Sequence, residues 1–133
     1  MLYFIAPAIA FTGISLVAAN WLHSRSGNFV FSRKLAHALV GLLVLGTPVM
    51  FDGPVAPFSL AAGSLLILAI AHQHEVFHGV AKRGRLSEIW FAFSLTVCFA
   101  SWWVVDPYIG VAAGLFMAWG DGVTGLIRFP LYR

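Results

Sequence analysis

The sequence is short of charge. It carries eight Lys and Arg and five Asp and Glu among 133 residues, only 10% of the chain. A soluble domain of this size needs more polar surface than that to face water. There is a single cysteine, Cys98, inside an apolar run, so an intrachain disulfide is excluded and the thiol reads as packing. The first twenty residues, MLYFIAPAIAFTGISLVAAN, contain no basic residue. A cleaved signal peptide usually begins with basic residues and has a shorter apolar core, so this segment reads as a retained helix. Internal repeats and low-complexity tracts are also missing. The net charge of +3 and pI near 9.5 do not indicate nucleic acid, because the basic residues sit in short segments between apolar runs. That placement fits membrane topology and contact with anionic lipid or phosphate.

What is present is apolar length. Sixty per cent of residues are hydrophobic and the mean hydropathy is +0.88. A helix needs about 20 apolar residues to span the hydrocarbon, with a range of about 17–25. Five runs qualify or nearly do, at about 2–22, 33–50, 57–74, 88–105 and 107–119, followed by a glycine-rich tail over 120–133. The expected fold is therefore all-α: one integral membrane domain over 1–133, a bundle of about five transmembrane helices. The expected punctuation is local. Ser32 caps the second helix, Asp52-Gly53-Pro54 closes it, Pro57 opens the third, Ser87 caps the fourth, and Asp106-Pro107 opens the fifth.

The linkers alternate between two faces. All eight Lys and Arg fall on one: Arg25, Arg33, Lys34, Lys82, Arg83, Arg85, Arg128 and Arg133. The other receives two tight turns with Asp52 and Asp106. Short-loop Lys/Arg bias makes the first face cytoplasmic, with the N-terminus outside and the C-terminus cytoplasmic. The five histidines, Glu75, Glu88 and Asp121 share the cytoplasmic face.

Four segments on that face can carry chemistry. In the first, Arg33, His37 and Gly41 stand at i, i+4 and i+8, one helical stripe. His37 lies about one turn inside the boundary, where ionisable groups face a bundle interior or a cavity. Gly41 would let another backbone approach closely. Arg33 and Lys34 suit phosphate, or serve as positive-inside anchors, with His37 hydrogen-bonded inside the bundle. In the second, His74-Glu75-x-x-His78 has the spacing of a helical zinc site, as in membrane metalloproteases. The plain alternative is a solvated extension of the third helix. In the third, Lys82, Arg83 and Arg85 precede Ser87-Glu88-Ile89-Trp90. The basic loop suits a polyphosphate or lipid headgroup, while Glu88 also suits a helix N-terminus for its dipole alone. In the fourth, Asp121 lies between Gly120 and Gly122. An aspartate there suits Mg²⁺ shared with substrate phosphates, or an ordinary turn.

Taken in order, these segments resemble the CTP-dependent lipid-alcohol kinases: dolichol kinase, phytol kinase and the CTP-type diacylglycerol kinase, relatives of phosphatidate cytidylyltransferase. Arg33, Lys34, His37 and Gly41 carry the resemblance, with Glu75 and Arg83, Ser87-Glu88-Ile89-Trp90, and Gly120-Asp121-Gly122. The resemblance implies phosphate transfer from CTP to a long-chain lipid alcohol. It implies Mg²⁺ on Asp121, phosphate contacts from Arg33, Lys34, Arg83, Arg85, Gly120 and Gly122, and a hydroxyl-orienting or deprotonating role for His37 or Glu88. The expected partners are a membrane lipid and a nucleotide, with a homo-oligomer allowed. The family pattern continues past the Gly-Asp segment with a basic K-x-T/S-x-x-G segment and further helices. The expectation is therefore a shortened or partial copy of the family's domain.

Overall fold

The computed structural model describes residues 2–74 and 86–128. Among these the chain is all-helical, with five α-helices and no strand. They are α1 (Ile5–Ser26), α2 (Phe29–Met50), α3 (Val55–Gln73), α4 (Ser87–Ala100) and α5 (Pro107–Arg128). Short 3-10 turns precede α1 at Leu2–Phe4 and follow α4 at Ser101–Trp103. Three helices, α1, α2 and α3, are long and apolar enough to cross a membrane.

The helix ends show how local chemistry competes with expectation. The linker expected over residues 23–32 contracts to Gly27-Asn28. Gly27 adopts φ 64°, and its N–H bonds the His23 carbonyl at 2.8 Å, closing α1 in the left-handed geometry that favours glycine. Asn28 then caps α2, its Oδ1 accepting from the Phe31 N–H at 3.0 Å. Ser32 is thus not the cap. It lies inside α2 and returns its hydroxyl to the Asn28 and Phe29 carbonyls. Near the other end, Pro48 withholds the N–H that the Val44 carbonyl would receive. Thr47 Oγ1 donates to that carbonyl instead, at 2.7 Å.

α3 begins two residues before Pro57, which sits in the first turn, where N–H groups have no helical acceptor. α4 begins at Ser87 rather than being capped by it, and stops at Ala100 rather than Val105. The following Trp102-Trp103-Val104-Val105 is poor in helix propensity, and the chain tightens there. The Val104 and Val105 N–H groups both bond the Ser101 carbonyl. Asp106 does cap α5, its Oδ1 accepting from the Tyr108 N–H at 2.8 Å.

The largest departure is at the C-terminal end. Residues 120–128 continue α5 and are not a glycine-rich tail. Glycine costs up to about 1 kcal/mol inside a helix. Close packing offsets that cost. A Cβ on Gly122 would stand 3.2 Å from the Ala38 nitrogen and 3.3 Å from the Lys34 carbonyl oxygen, both backbone atoms of α2. A Cβ on Gly125 would run into the Lys34 side-chain stem. These glycines let α5 approach α2, which is its main neighbour.

α2 packs between α1 and α5, and α4 joins α5 to α3. Val44, Ala61, Leu95, Phe99 and Val111 form a core shared by α2, α3, α4 and α5. Ala8, Phe51 and Ala56 tie α1 to the α2–α3 turn. The outer faces are apolar: Ile14, Leu42, Val49, Leu66, Ile67 and Phe116 are all exposed. Exposed apolar surface of this extent is suited to lipid and costly in water.

Candidate functional site

Helix alternation brings the C-terminal end of α5 and the N-terminal ends of α2 and α4 to one end of the bundle. Arg33 and Lys34 lie in the second turn of α2 and His37 one turn further in. Glu88 stands in the first turn of α4, and Asp121 about two turns before the end of α5.

These five side chains meet. Asp121 Oδ1 is ion-paired with Lys34 Nζ. Asp121 Oδ2 lies 2.8 Å from His37 Nδ1 and 3.8 Å from Arg33 Nη2. Arg33 Nη1 lies 3.5 Å from Glu88 Oε1 and donates to Ser87 Oγ at 3.1 Å. Ser87 in turn donates to Glu88 Oε1 at 3.0 Å. A carboxylate beside Nδ1 favours the imidazole tautomer with its proton there, leaving Nε2 as an acceptor. The His37 ring also stacks on Phe91 of α4, with centroids 4.0 Å apart and planes 8° from parallel.

Two cations and two carboxylates balance, as charges within a membrane protein must. Exposure separates the two acids. The Asp121 side chain is 40% exposed and that of Glu88 2%. Asp121 is therefore the acid that an incoming ligand can reach. Its fit to a metal follows from the same facts. Among the described residues no three His, Cys, Asp or Glu gather as a metal cage. Mg²⁺ needs no such cage, since it commonly takes one or two carboxylates with substrate phosphates and water. Each Asp121 oxygen has lone-pair capacity beyond its one hydrogen bond, Oδ1 to Lys34 and Oδ2 to His37. A single carboxylate with spare lone pairs is a donor that Mg²⁺ can use, provided its remaining ligands come from elsewhere.

The remaining expectations divide. Gly120 faces open space on α5, while Gly122 lies against the α2 backbone at Lys34 and Ala38. At Gly41 the close neighbour is a side chain and not a backbone: the Trp119 indole, whose Nε1 donates to the Ala38 carbonyl at 3.1 Å. His74 is exposed at the C-terminal end of α3. Glu75, His78, Lys82, Arg83 and Arg85 lie outside the described residues. Sequence reasoning missed Ser87 as a partner of Arg33, Phe91 as the plate under His37, and Trp119 as the neighbour of Gly41. Gly41 signalled a close approach without identifying the partner.

No protein-family model, curated protein or solved structure matches the chain. Fold and cluster together define a class: a helical bundle with membrane-length helices that gathers opposite charges from three helices at one end.

Proposed function

We propose that this chain is a membrane-embedded phosphotransferase, moving phosphate from CTP to the hydroxyl of a long-chain lipid alcohol such as a polyprenol, phytol or diacylglycerol. The observation that carries this reading is the meeting of Asp121 with Arg33, Lys34 and His37 at one end of the bundle. Phosphoryl transfer asks mainly for positioning and charge neutralisation. Arg33 and Lys34 supply cationic donors for phosphate oxygens. Asp121 would hold Mg²⁺, which neutralises phosphate charge when bound. The lipid oxygen forms the new bond to the terminal phosphorus as the bond to the bridging oxygen breaks. CDP leaves, and the hydroxyl proton passes to His37 or to water.

The topology belongs to the same proposal. All five helices cross the bilayer, with the N-terminus outside and the charged end cytoplasmic. α4 and its 3-10 turn rise about 27 Å, near the roughly 30 Å of hydrocarbon. At the cytoplasmic end of α1, the Arg25 guanidinium lies 5.1 Å from the Trp21 ring centroid, a pairing suited to the interface. A lipid alcohol diffusing in the leaflet presents its hydroxyl at the depth of the cluster.

A second reading rests on the pairing itself. Arg33 and Lys34 already face carboxylates, so the cluster can serve only as an ion-paired lock between α2, α4 and α5 in a non-enzymatic bundle. The test is transfer of label from CTP labelled at its terminal phosphate. The purified chain is reconstituted in phosphatidylcholine vesicles with Mg²⁺ and each lipid alcohol in turn. Labelled lipid phosphate supports the phosphotransferase. No transfer to any acceptor, with no CTP binding, leaves the lock.

A further inference from the structure

Arg33 is the hinge of the cluster, because its two terminal nitrogens serve different helices. Nη1 faces α4, donating to Ser87 Oγ at 3.1 Å and lying 3.5 Å from Glu88 Oε1. Nη2 faces α5, 3.8 Å from Asp121 Oδ2. Ser87 closes a triangle by donating its own proton to Glu88 Oε1 at 3.0 Å. The donor assignments follow from chemistry. A guanidinium cannot accept and a carboxylate cannot donate, so the serine hydroxyl accepts from Arg33 and donates to Glu88.

A guanidinium is planar, with its donors in a rigid fork, so anchoring Nη1 also sets where Nη2 points. Without that anchor, a long side chain near the end of α2 would be free to extend toward the headgroups. We propose that Ser87 and Glu88 are positioning residues, which hold Arg33 so that Nη2 is presented beside Asp121 for a phosphate oxygen, and that neither touches substrate. The proposal rests on the phosphotransferase reading and removes Glu88 from the candidates for hydroxyl base. Its place in the cluster carries that step: His37 bonds Asp121 directly, whereas Glu88 reaches it only through Arg33. The Glu88 side chain is 2% exposed, Oε1 is held by Ser87 and Arg33, Oε2 is enclosed without a partner, and its ion-pair contact is with Arg33 and not with the Asp121 carboxylate side of the cluster. The helix dipole alone explains an acid in the first turn of α4. It does not explain why that acid is enclosed against a cation from α2.

The test separates affinity from turnover in the full chain, reconstituted with a lipid alcohol it phosphorylates. Glu88→Gln keeps an acceptor oxygen for Ser87 and removes the charge that anchors Arg33. It should raise KM for CTP about tenfold, with kcat changed less than about threefold, as expected for loss of a charge-assisted contact. Ser87→Ala should move KM in the same direction, and Ser87→Thr, which keeps the hydroxyl, should restore most of the lost affinity. In an Arg33→Lys background, Glu88→Gln should add little further. If Glu88 were the base, Glu88→Gln would instead lower kcat by about 10²–10⁴ with KM nearly unchanged, which overturns the proposal. If Glu88→Gln fails to fold, the Ser87 pair carries the same test, and an unchanged KM in Ser87→Ala overturns it. Absence of transfer by the unaltered chain overturns the phosphotransferase reading and this proposal together. Transfer with an unmoved KM in the variants overturns the proposal alone.

Discussion

His37 Nδ1 lies 2.8 Å from Asp121 Oδ2, joining α2 to α5 across 84 positions of sequence. The same carboxylate takes Lys34 on its other oxygen. One acidic side chain therefore organises the polar end of the bundle, and the consequences of changing it follow directly.

Asp121→Asn removes the negative charge while keeping the side-chain size. If Asp121 holds the metal, CTP-dependent lipid phosphorylation should fall by about 10²-fold or more. Membrane insertion and helix content, read by alkaline extraction and circular dichroism, should be unchanged. Retained transfer rejects the assignment of Asp121.

The ion pair between Lys34 and Asp121 should be measurable as a coupling. Lys34→Met and Asp121→Asn should each destabilise the bundle, and the double variant should be less destabilised than the sum. The expected coupling is about 1–3 kcal/mol by reversible unfolding in detergent. The low end is favoured because Asp121 is 40% exposed and solvent weakens the pair. Strict additivity would show that the pair contributes nothing.

Two glycines give a matched comparison. A Cβ at Gly41 would run into the Trp119 indole, whereas one at Gly63 on α3 meets nothing within 4 Å. Gly41→Ala should cost about 1–3 kcal/mol, the usual range for overpacking. It should also disturb Trp119 fluorescence, because the indole must move. Gly63→Ala should be neutral or slightly stabilising. Equal effects at the two sites would contradict the close approach of α2 and α5.

The membrane arrangement is testable with cysteine labelling in a Cys98→Ser background. Ser24→Cys, at the end of α1, and Gly53→Cys, between α2 and α3, should label from opposite sides of sealed vesicles. The Gly53 position should react from the outside. Labelling of both from one side would reject the proposed crossing of α2.

Several elements were legible because their causes are local. Asp106 and Pro107 mark the start of α5 through a side-chain cap and a missing N–H, both within three residues. The stripe of Arg33, His37 and Gly41 follows from helical periodicity, and it faces α5, with Arg33 and His37 also touching α4. Other elements were misread where two residues competed for one role. Asn28 and Ser32 both suit an N-cap, and Asn28 prevails because Gly27 has already ended α1 there. The segment from Gly120 to Gly125 has the composition of a turn. It is a helix because the absent side chains leave room for the α2 backbone and for Lys34, a reason invisible without α2 beside it.

The sequence by itself determined the apolar helices and the turn at Asp52-Gly53-Pro54. Span length and linker position are properties of contiguous residues. Only the tertiary structure decided which charges meet. It set Lys34 and His37 on Asp121 from 87 and 84 positions away, enclosed Glu88 behind Arg33, and left Asp121 open. Those outcomes depend on how closely α5 packs on α2. That distance is set by glycines whose purpose appears only when both helices are in place.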